Sequence, residues 1–209
     1  MIAVLDYGIG NLRSAQKALQ RVGGDAVLVT DPAAAVGADG VVLPGVGAFG
    51  PCVAALRASG LDQVALKAIH AGLPFIGICV GLQVLYEKSE EAPGIPGLGV
   101  LPGTVRALPA GVKRPQMQWN PLQPTPVVGR GLLAGLGPEP WVYFVHSYAV
   151  EMSADTRASG DIVATCDYGG PMVAALERDR LWATQFHPEK SGPVGLAVLA
   201  NFVRTCQAP

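Results

Sequence analysis

The residues best suited to do chemistry in this chain are a cysteine and the two glycines beside it. In Gly77-Ile78-Cys79-Val80-Gly81 an apolar strand pattern ends at the cysteine, and a helical pattern begins directly after it. The tight turn that exposes a nucleophile has no room for side chains two residues before or after it. Glycines at these two positions are therefore typical of a nucleophile elbow. The amide of Val80 would start the following helix and could donate to an oxyanion. The motif predicts a nucleophilic Cys79; the alternative is a buried structural cysteine.

A histidine followed by a carboxylate is the second signal. His187 comes after an apolar strand pattern over residues 181–186, and Glu189 follows Pro188. Side chains at i and i+2 of an extended segment project to the same side, so Glu189 can hold one ring nitrogen of His187. The other nitrogen is then free to exchange a proton with Cys79. Alone, the segment fits an ordinary surface turn equally well; with the elbow it predicts a Cys–His–Glu triad.

Other polar or glycine-rich segments carry weaker signals. Residues 43–47 read Leu-Pro-Gly-Val-Gly after a strand pattern, and amides in such a turn are suited to bind an anion or an oxyanion. They lack the Gly-Lys-Ser/Thr of a phosphate loop, and the Gly-x-Gly at residues 8–10 lacks the third glycine of a dinucleotide fingerprint. His146 is either a pocket wall or a satisfied strand residue. His70 ends a predicted helix, where a cation suits the helix dipole.

The elements that must position these residues alternate along the first half of the chain. Apolar runs predict strands over residues 2–6, 26–30, 40–43 and 74–78, and helical patterns start at residue 11 and cover 61–71 and 80–87. Further strands are predicted over 141–150, 161–166, 171–178 and 181–186, with a hairpin turn over 177–180 and a closing helix over 193–205. This order predicts βαβ units in one α/β domain over residues 1–209, with a mixed sheet covered on both faces.

Composition and charge exclude several classes of function. Among 209 residues, 15 are basic and 16 acidic, so the net charge of −1 gives no electrostatic basis for binding nucleic acid or an anionic membrane. Half of the residues are hydrophobic, which excludes disorder over most of the length. The four cysteines lack metal-ligand spacing, and we expect neither a signal peptide nor a transmembrane helix. The expected compartment is a reducing cytoplasm.

Taken together, the motifs resemble a known family. Residues 77–83, Gly-Ile-Cys-Val-Gly-Leu-Gln, and residues 186–189, Phe-His-Pro-Glu, resemble the class I (triad) glutamine amidotransferases. Segments at 6–14, 43–49, 117–120, 143–148 and 187–191 are similar to the glutaminase subunits of imidazole glycerol phosphate synthase. The matches cover nearly the whole chain in order. The resemblance implies a three-layer, flavodoxin-like α/β fold, in which helices flank a central mixed, mostly parallel sheet.

The resemblance also implies a reaction and a partner. Cys79 would attack the side-chain amide of glutamine to give a γ-glutamyl thioester, and water would then release glutamate. Ammonia would pass through a tunnel to a (β/α)₈ cyclase subunit that makes imidazole glycerol phosphate and an aminoimidazole carboxamide nucleotide in histidine biosynthesis. No metal or organic cofactor is implied. The implied site residues are the triad Cys79, His187 and Glu189; the oxyanion donors Val46 and Val80; the glutamine-binding residues Gly45, Gly47, Gln83, Ser147 and Tyr148; and the partner-interface residues Trp119, Asn120, Tyr143 and Lys190.

Two local features qualify the resemblance. Gly45 can adopt φ > 0, which gives the hypothesis that the peptide ahead of Val46 rotates to present a second oxyanion donor. Gln118 stands where the family pattern has glycine, and it would be strained if that position required φ > 0. Gln116 and Gln118 could instead contact the partner.

Rival functions are a non-catalytic subunit of the same fold, a free-standing γ-glutamyl hydrolase, and the glutaminase of pyridoxal phosphate synthesis. The intact triad positions disfavour the first of these. The Trp119-Asn120 segment and Lys190 disfavour the other two.

Overall fold

The computed structural model describes residues 1–125 and 131–208. In chain order its strands are β1 (Ile2–Leu5), β2 (Ala26–Val29), β3 (Gly40–Gly45), β4 (Phe75–Cys79), β5 (Tyr86–Ser89), β6 (Leu101–Ala107), β7 (Gln116–Pro121), β8 (Gln123–Pro124), β9 (Trp141–His146), β10 (Tyr148–Val150), β11 (Ile162–Asp167), β12 (Pro171–Arg178) and β13 (Leu181–Thr184). Its α-helices are α1 (Leu12–Arg21), α2 (Phe49–Ala58), α3 (Leu61–His70), α4 (Val80–Gln83), α5 (Ala154–Ala158) and α6 (Gly192–Gln207).

Eight of the strands form one central sheet in the order β2-β1-β3-β4-β13-β12-β11-β8. The pairs from β2 to β13 are parallel, and those from β13 to β8 are antiparallel. Every residue of β1, β3, β4 and β13 is buried, as the continuous apolar runs predict for strands covered on both faces. The mixed, mostly parallel sheet expected from the sequence is confirmed.

Helices cover both faces of this sheet. Helix α1 packs against α6, and α2 packs against α3. The crossovers β1–α1–β2 and β3–α3–β4 run in opposite directions across the sheet, so right-handed connections put α1 and α3 on opposite faces. The result is the three-layer arrangement expected from the resemblance. Within the described residues, no helix has both the length and the apolar composition needed to cross a membrane.

The sequence patterns misplace several elements between and around the predicted strands. The helix predicted over 80–87 ends at Gln83, and residues 86–89 form β5, which pairs with β6. The strand predicted over 141–150 breaks at Ser147 into β9 and β10, which belong to different sheets. Helix α2 was not predicted. In each case pairing or packing with residues distant in sequence determines the local structure.

The order of the strands shows where a ligand should bind. The chain moves from β1 to β2 on one side, then returns to place β3 on the other side of β1. Such a reversal opens a crevice at the carboxyl ends of the strands, where open α/β sheets bind their ligands. Because β3, β4 and β13 are parallel to β1, the segments that follow all four strands meet at this edge.

Candidate active site

Cys79 occupies a strained turn at the end of β4. Its φ of 54° and ψ of −108° lie in a region that residues other than glycine rarely adopt. A Cβ on Gly81 would lie 1.9 Å from the carbonyl oxygen of Leu43, and one on Gly77 would lie 2.7 Å from the carbonyl oxygen of Gly81. Both flanking glycines are therefore required by close backbone contacts. The helix after the cysteine, α4, is a single turn, shorter than the sequence predicts.

His187 and Glu189 form a buried pair next to the cysteine. Nδ1 of His187 lies 2.8 Å from Oε1 of Glu189, and both side chains are at most 3% exposed. Burial alone would lower the pKa of His187, but hydrogen bonds to the Cys79 thiol and to Glu189 outweigh it and raise the pKa to about 10. His187 is therefore placed as a proton donor and acceptor next to the sulfur.

A cavity of about 550 Å³ opens at this edge of the sheet. Segments that follow β1, β3 and β4 contribute to it, together with β9 and the segment around His187. Its lining residues are Gly10, Asn11, Val46, Gly47, Cys79, Val80, Gln83, Glu91, Pro115, Val145, His146, Ser147, Tyr148, His187 and Lys190. This lining combines a nucleophile and a base with one carboxylate, Glu91, and one ammonium, Lys190. It therefore suits a small zwitterionic ligand.

The glycine-rich turn after β3 is held by two buried side chains. The Tyr7 hydroxyl donates to the Pro44 carbonyl at 2.6 Å, and the Cys52 thiol donates to the Val46 carbonyl at 3.2 Å. Burial raises the pKa of the Cys52 thiol to about 11, so this cysteine stays protonated as a donor. Val46 and Val80, whose amides were predicted to serve as oxyanion donors, both line the cavity.

Gly45 was predicted to bind glutamine and to allow the peptide ahead of Val46 to rotate. It is not among the cavity-lining residues and does not have a positive φ, whereas Gly47 lines the cavity at φ 81°. A Cβ on Gly45 would lie 2.8 Å from the amide nitrogen of Gly81 and 3.0 Å from the Tyr7 hydroxyl. The glycine is needed for this close packing in the conformation described. The left-handed backbone invoked for peptide rotation is not present at Gly45.

The predicted glutamine-binding residues Gln83, Ser147 and Tyr148 all line the cavity. Nε2 of Gln83 donates to the Tyr148 carbonyl at 2.8 Å, and Nδ1 of His146 donates to the same oxygen at 3.0 Å. Two buried side chains therefore fix the backbone of this segment. His146 lines the cavity, which is the first of the alternatives left open by the sequence. It fits the second only in part, because its Nδ1 bonds a backbone carbonyl but its buried Nε2 has no hydrogen-bond partner.

The burial of His146 predicts a pH dependence of stability. Burial, opposed by its bond to Tyr148, lowers the pKa of His146 from 6.5 to about 4. The unfolded chain therefore binds more protons between these values, and the stabilisation is complete above pH 6.5 and lost as the pH falls toward 4. We expect this histidine to account for roughly 3 kcal/mol of that loss.

Urea unfolding at several pH values tests this expectation. A His146→Asn variant keeps an amide donor but does not titrate, so its free energy of unfolding should fall less steeply than that of the wild type between pH 6.5 and pH 4. Equal slopes for the two proteins would show that His146 is not the group responsible.

Two of the four predicted interface residues, Trp119 and Tyr143, lie on the outer face of the β7–β9 pair. Trp119 and Tyr143 are opposite each other, with ring centroids 6.1 Å apart, and Trp119 is 47% exposed. Met117 and Trp141 extend the same face at 61% and 48% exposure. Exposed apolar faces are common at the interaction surfaces of proteins. We call these four residues the aromatic face.

Asn120 and Lys190 lie differently from the aromatic face. The Asn120 amide donates to Cys166 Sγ at 2.8 Å and to the Asp167 carbonyl at 2.9 Å, so it ties β7 to β11. Lys190 is exposed at the rim of the cavity. The Asn120 amide therefore bonds to residues of its own chain in this structure, whereas the Lys190 side chain is available to contact a ligand or a partner.

The glutamines of this segment also depart from expectation. Gln118 is in regular pairing with Phe144 and has no positive φ, so the strain expected from the missing glycine is absent. Gln116 is fully buried, with its amide 3.7 Å from Cys166 Sγ, so the expectation that it contacts a partner is wrong. Antiparallel pairing with β9 places the side chain of Gln116 on the inner face beside His146.

Two residues of the site have no role in the sequence argument. Glu91 lines the cavity and accepts a hydrogen bond from the Phe49 amide at 2.8 Å. Gln185 is fully buried, and its Nε2 lies 3.6 Å from Cys79 Sγ. Gln185 precedes the Phe-His-Pro-Glu segment directly, and this proximity was the only available signal. Nothing local distinguishes Glu91 from the neighbouring acidic residues.

Comparison with known proteins identifies the family of this chain. The family model for class I glutamine amidotransferases matches residues 3–206. The imidazole glycerol phosphate synthase subunit HisH of Methanothermobacter thermautotrophicus is 50% identical over 208 residues, which cover 100% of both chains. The chain belongs to the class I glutamine amidotransferases, within their HisH group. It is therefore a glutamine-hydrolysing enzyme subunit.

Other relatives agree with this membership. HisH of Deinococcus radiodurans is 49% identical to this amidotransferase, covering 97% of this chain and 93% of that one. Among solved structures, a glutamine amidotransferase superposes with a TM-score of 0.75 at 22% identity, covering 99% of both chains. PurLQS from Thermotoga maritima superposes with a TM-score of 0.71 at 18% identity, covering 99% of this chain and 96% of that one. The two structural matches show the shared fold.

Proposed function

We propose that Cys79, His187 and Glu189 hydrolyse glutamine to glutamate and ammonia in the glutaminase subunit of an imidazole glycerol phosphate synthase. The chain's family membership gives the identity of the synthase and its place in histidine biosynthesis. The observation that carries the catalytic assignment is the strained Cys79 turn beside the buried His187–Glu189 pair in one cavity. A nucleophile, a base and a group that orients the base are the parts that acyl transfer requires.

The first half of the reaction forms the thioester. The Cys79 sulfur attacks the side-chain amide carbon of glutamine, and the carbonyl oxygen becomes an oxyanion facing the Val46 and Val80 amides. His187, held through Nδ1 by Glu189, gives its Nε2 proton to the departing nitrogen. The C–N bond breaks, ammonia leaves, and the γ-glutamyl group stays bonded to sulfur.

The second half of the reaction releases glutamate. Neutral His187 takes a proton from a water molecule, whose oxygen attacks the thioester carbon. The C–S bond breaks, and Cys79 departs as a thiolate beside the protonated imidazole. The same oxyanion donors serve both halves, because both pass through a tetrahedral intermediate at the same carbon.

The polar lining of the cavity supports glutamine as the ligand. We assign Glu91 to the α-ammonium group, because Glu91 is the cavity's carboxylate and its position is fixed by the Phe49 amide. The backbone of Gly47 and of the Ser147–Tyr148 segment is available for the α-carboxylate. Gln83 contributes to binding indirectly. Its Nε2 is bonded to the Tyr148 carbonyl, so it holds the backbone segment that would contact glutamine.

The aromatic face supports a (β/α)₈ cyclase as the partner that receives ammonia. Membership of the HisH group makes the chain one subunit of a synthase, which implies a second subunit. On the inner side of this face, the Tyr143 carbonyl accepts from the His187 amide at 3.0 Å, and the Tyr143 amide donates to Ser191 Oγ at 2.9 Å. A partner bound to the face would therefore be one strand away from the catalytic histidine.

Glutamate release tests the proposed function. We expect weak release by the purified chain alone and strong release once a (β/α)₈ cyclase and its nucleotide ligand are added. Strong release that is indifferent to the cyclase would instead identify a free-standing hydrolase.

A substitution on the aromatic face tests the partner assignment in the same assay. Trp119→Ala should weaken cyclase binding by roughly 30-fold or more, because a central tryptophan of an interface is commonly a hot spot. Val36→Ala is the control, since Val36 is 82% exposed and lies outside the aromatic face. Equal cyclase affinities for the two variants would exclude this face as the interface.

We also propose a cytoplasmic location. All four cysteines are free, and all are buried. Free thiols in this number fit a reducing compartment, where disulfides do not persist.

A further inference from the structure

A buried glutamine contacts the sulfur of Cys79. Gln185 follows β13 directly and has no exposed surface, and its backbone amide is fixed by the Ala174 carbonyl at 2.9 Å. Its Nε2 lies 3.6 Å from Cys79 Sγ, and its Oε1 accepts from Gln83 Nε2 at 3.1 Å. The Gln185 amide therefore connects the Gln83 amide to the nucleophile.

The direction of each hydrogen bond in this chain of amides is set at its far end. The Tyr148 carbonyl oxygen can only accept, so the Gln83 group that lies 2.8 Å from it must be the NH₂. That NH₂ also faces Gln185, so the Gln185 group opposite it must be the oxygen. The NH₂ of Gln185 is then left to face the sulfur.

We propose that Gln185 is a further catalytic residue, whose amide donates a hydrogen bond to the Cys79 thiolate. Gln83 and the Tyr148 carbonyl act as positioning groups, because they fix the orientation in which the NH₂ of that amide faces the sulfur. An N–H directed at sulfur stabilises the thiolate more than the neutral thiol, because a hydrogen bond to a charged acceptor is stronger than one to a neutral acceptor. The Val145 carbonyl, 4.0 Å from Sγ, is the acceptor available to the thiol.

This arrangement gives the anion two donors of different kinds. His187 carries a proton that it must surrender during the reaction, whereas the Gln185 amide keeps its protons throughout. The amide contact therefore persists when His187 becomes neutral and when the thiolate leaves the thioester. The inference deepens the proposed function and rests on Cys79 being its nucleophile.

The rate of Cys79 alkylation by iodoacetamide, measured against pH, tests the role of Gln185. Only the thiolate reacts, so the midpoint of the profile reports how strongly the site favours the anion. Labelling is located on the Cys79 peptide by mass spectrometry, which separates it from the other three cysteines. In Gln185→Leu we expect the midpoint to rise by about one pH unit relative to wild type.

A second variant keeps the test valid if the leucine variant does not fold. Gln185→Glu nearly preserves shape, and its carboxylate can still accept from Gln83, but its charge repels the thiolate. Its midpoint should rise by at least as much. Gln116→Leu is the matched control, because Gln116 is also a fully buried glutamine yet contacts Cys166, and its midpoint should equal that of wild type.

The outcomes separate this proposal from the proposed function. A midpoint unchanged in the Gln185 variants overturns the role of Gln185, even if the wild type hydrolyses glutamine normally. A shift of equal size in Gln116→Leu also overturns it, since loss of any buried glutamine would then have the same effect. Absence of glutamine hydrolysis by the wild-type complex would contradict the proposed function and not this contact.

Discussion

Replacing Cys79 by alanine is expected to lower the rate of glutamate release by about 10⁶-fold. The remaining rate would exceed that of the uncatalysed reaction only by what substrate binding contributes. The thioester cannot form without sulfur, and the remaining oxyanion donors and cavity contacts supply only a small part of the acceleration. The rate is measured with saturating glutamine in the presence of the cyclase partner.

Cys206→Ala provides the matched control for this loss. Cys206 is a buried thiol in α6, beside Gly40 at the other end of β3. We expect this variant to keep its glutaminase rate within a few-fold. Persistent turnover in Cys79→Ala would remove the central assignment, and loss of turnover in both variants would point to a general packing defect.

Replacing Gly81 by alanine is expected to destabilise the protein by about 4 kcal/mol or more. The new Cβ would lie 1.9 Å from the Leu43 carbonyl oxygen, which is backbone of β3 and cannot move without disturbing the sheet. The same displacement would disturb the Cys79 turn, so we expect glutaminase activity to be lost as well. Urea unfolding and glutamate release measure the two effects.

Gly137→Ala is the control for the glycine substitution. A Cβ at Gly137 meets nothing within 4 Å, and its φ is not positive. Its free energy of unfolding should stay within about 0.5 kcal/mol of wild type. A Gly81→Ala protein that is as stable as Gly137→Ala would contradict the backbone geometry described for the elbow.

The parts of the site that could be predicted from sequence are those determined by neighbouring residues. The Cys79 turn is set by its own glycines, and Glu189 reaches His187 because only two residues separate them. The five parallel strands, β1 to β4 and β13, were predictable for the same reason, since their apolar runs are continuous.

The parts that could not be predicted depend on partners distant in sequence. Residues 86 and 87 look helical by local pattern, yet they belong to β5, because β5 pairs with β6. Gln185 acquires its contact with Cys79 only when β13 pairs with β4. Gln116 and Gln118 read alike in sequence and project to the same face of β7, yet only Gln116 is buried, where its amide lies beside Cys166 of β11.

The most direct test of the central claim is to locate the acyl group itself. The complex is mixed with glutamine labelled in its carbon skeleton, quenched with acid during turnover, and digested for peptide mapping. We predict label on the peptide that contains Cys79, in an amount that falls when the thioester is cleaved by hydroxylamine. Continued glutamate release with no label on that peptide would contradict a γ-glutamyl thioester at Cys79.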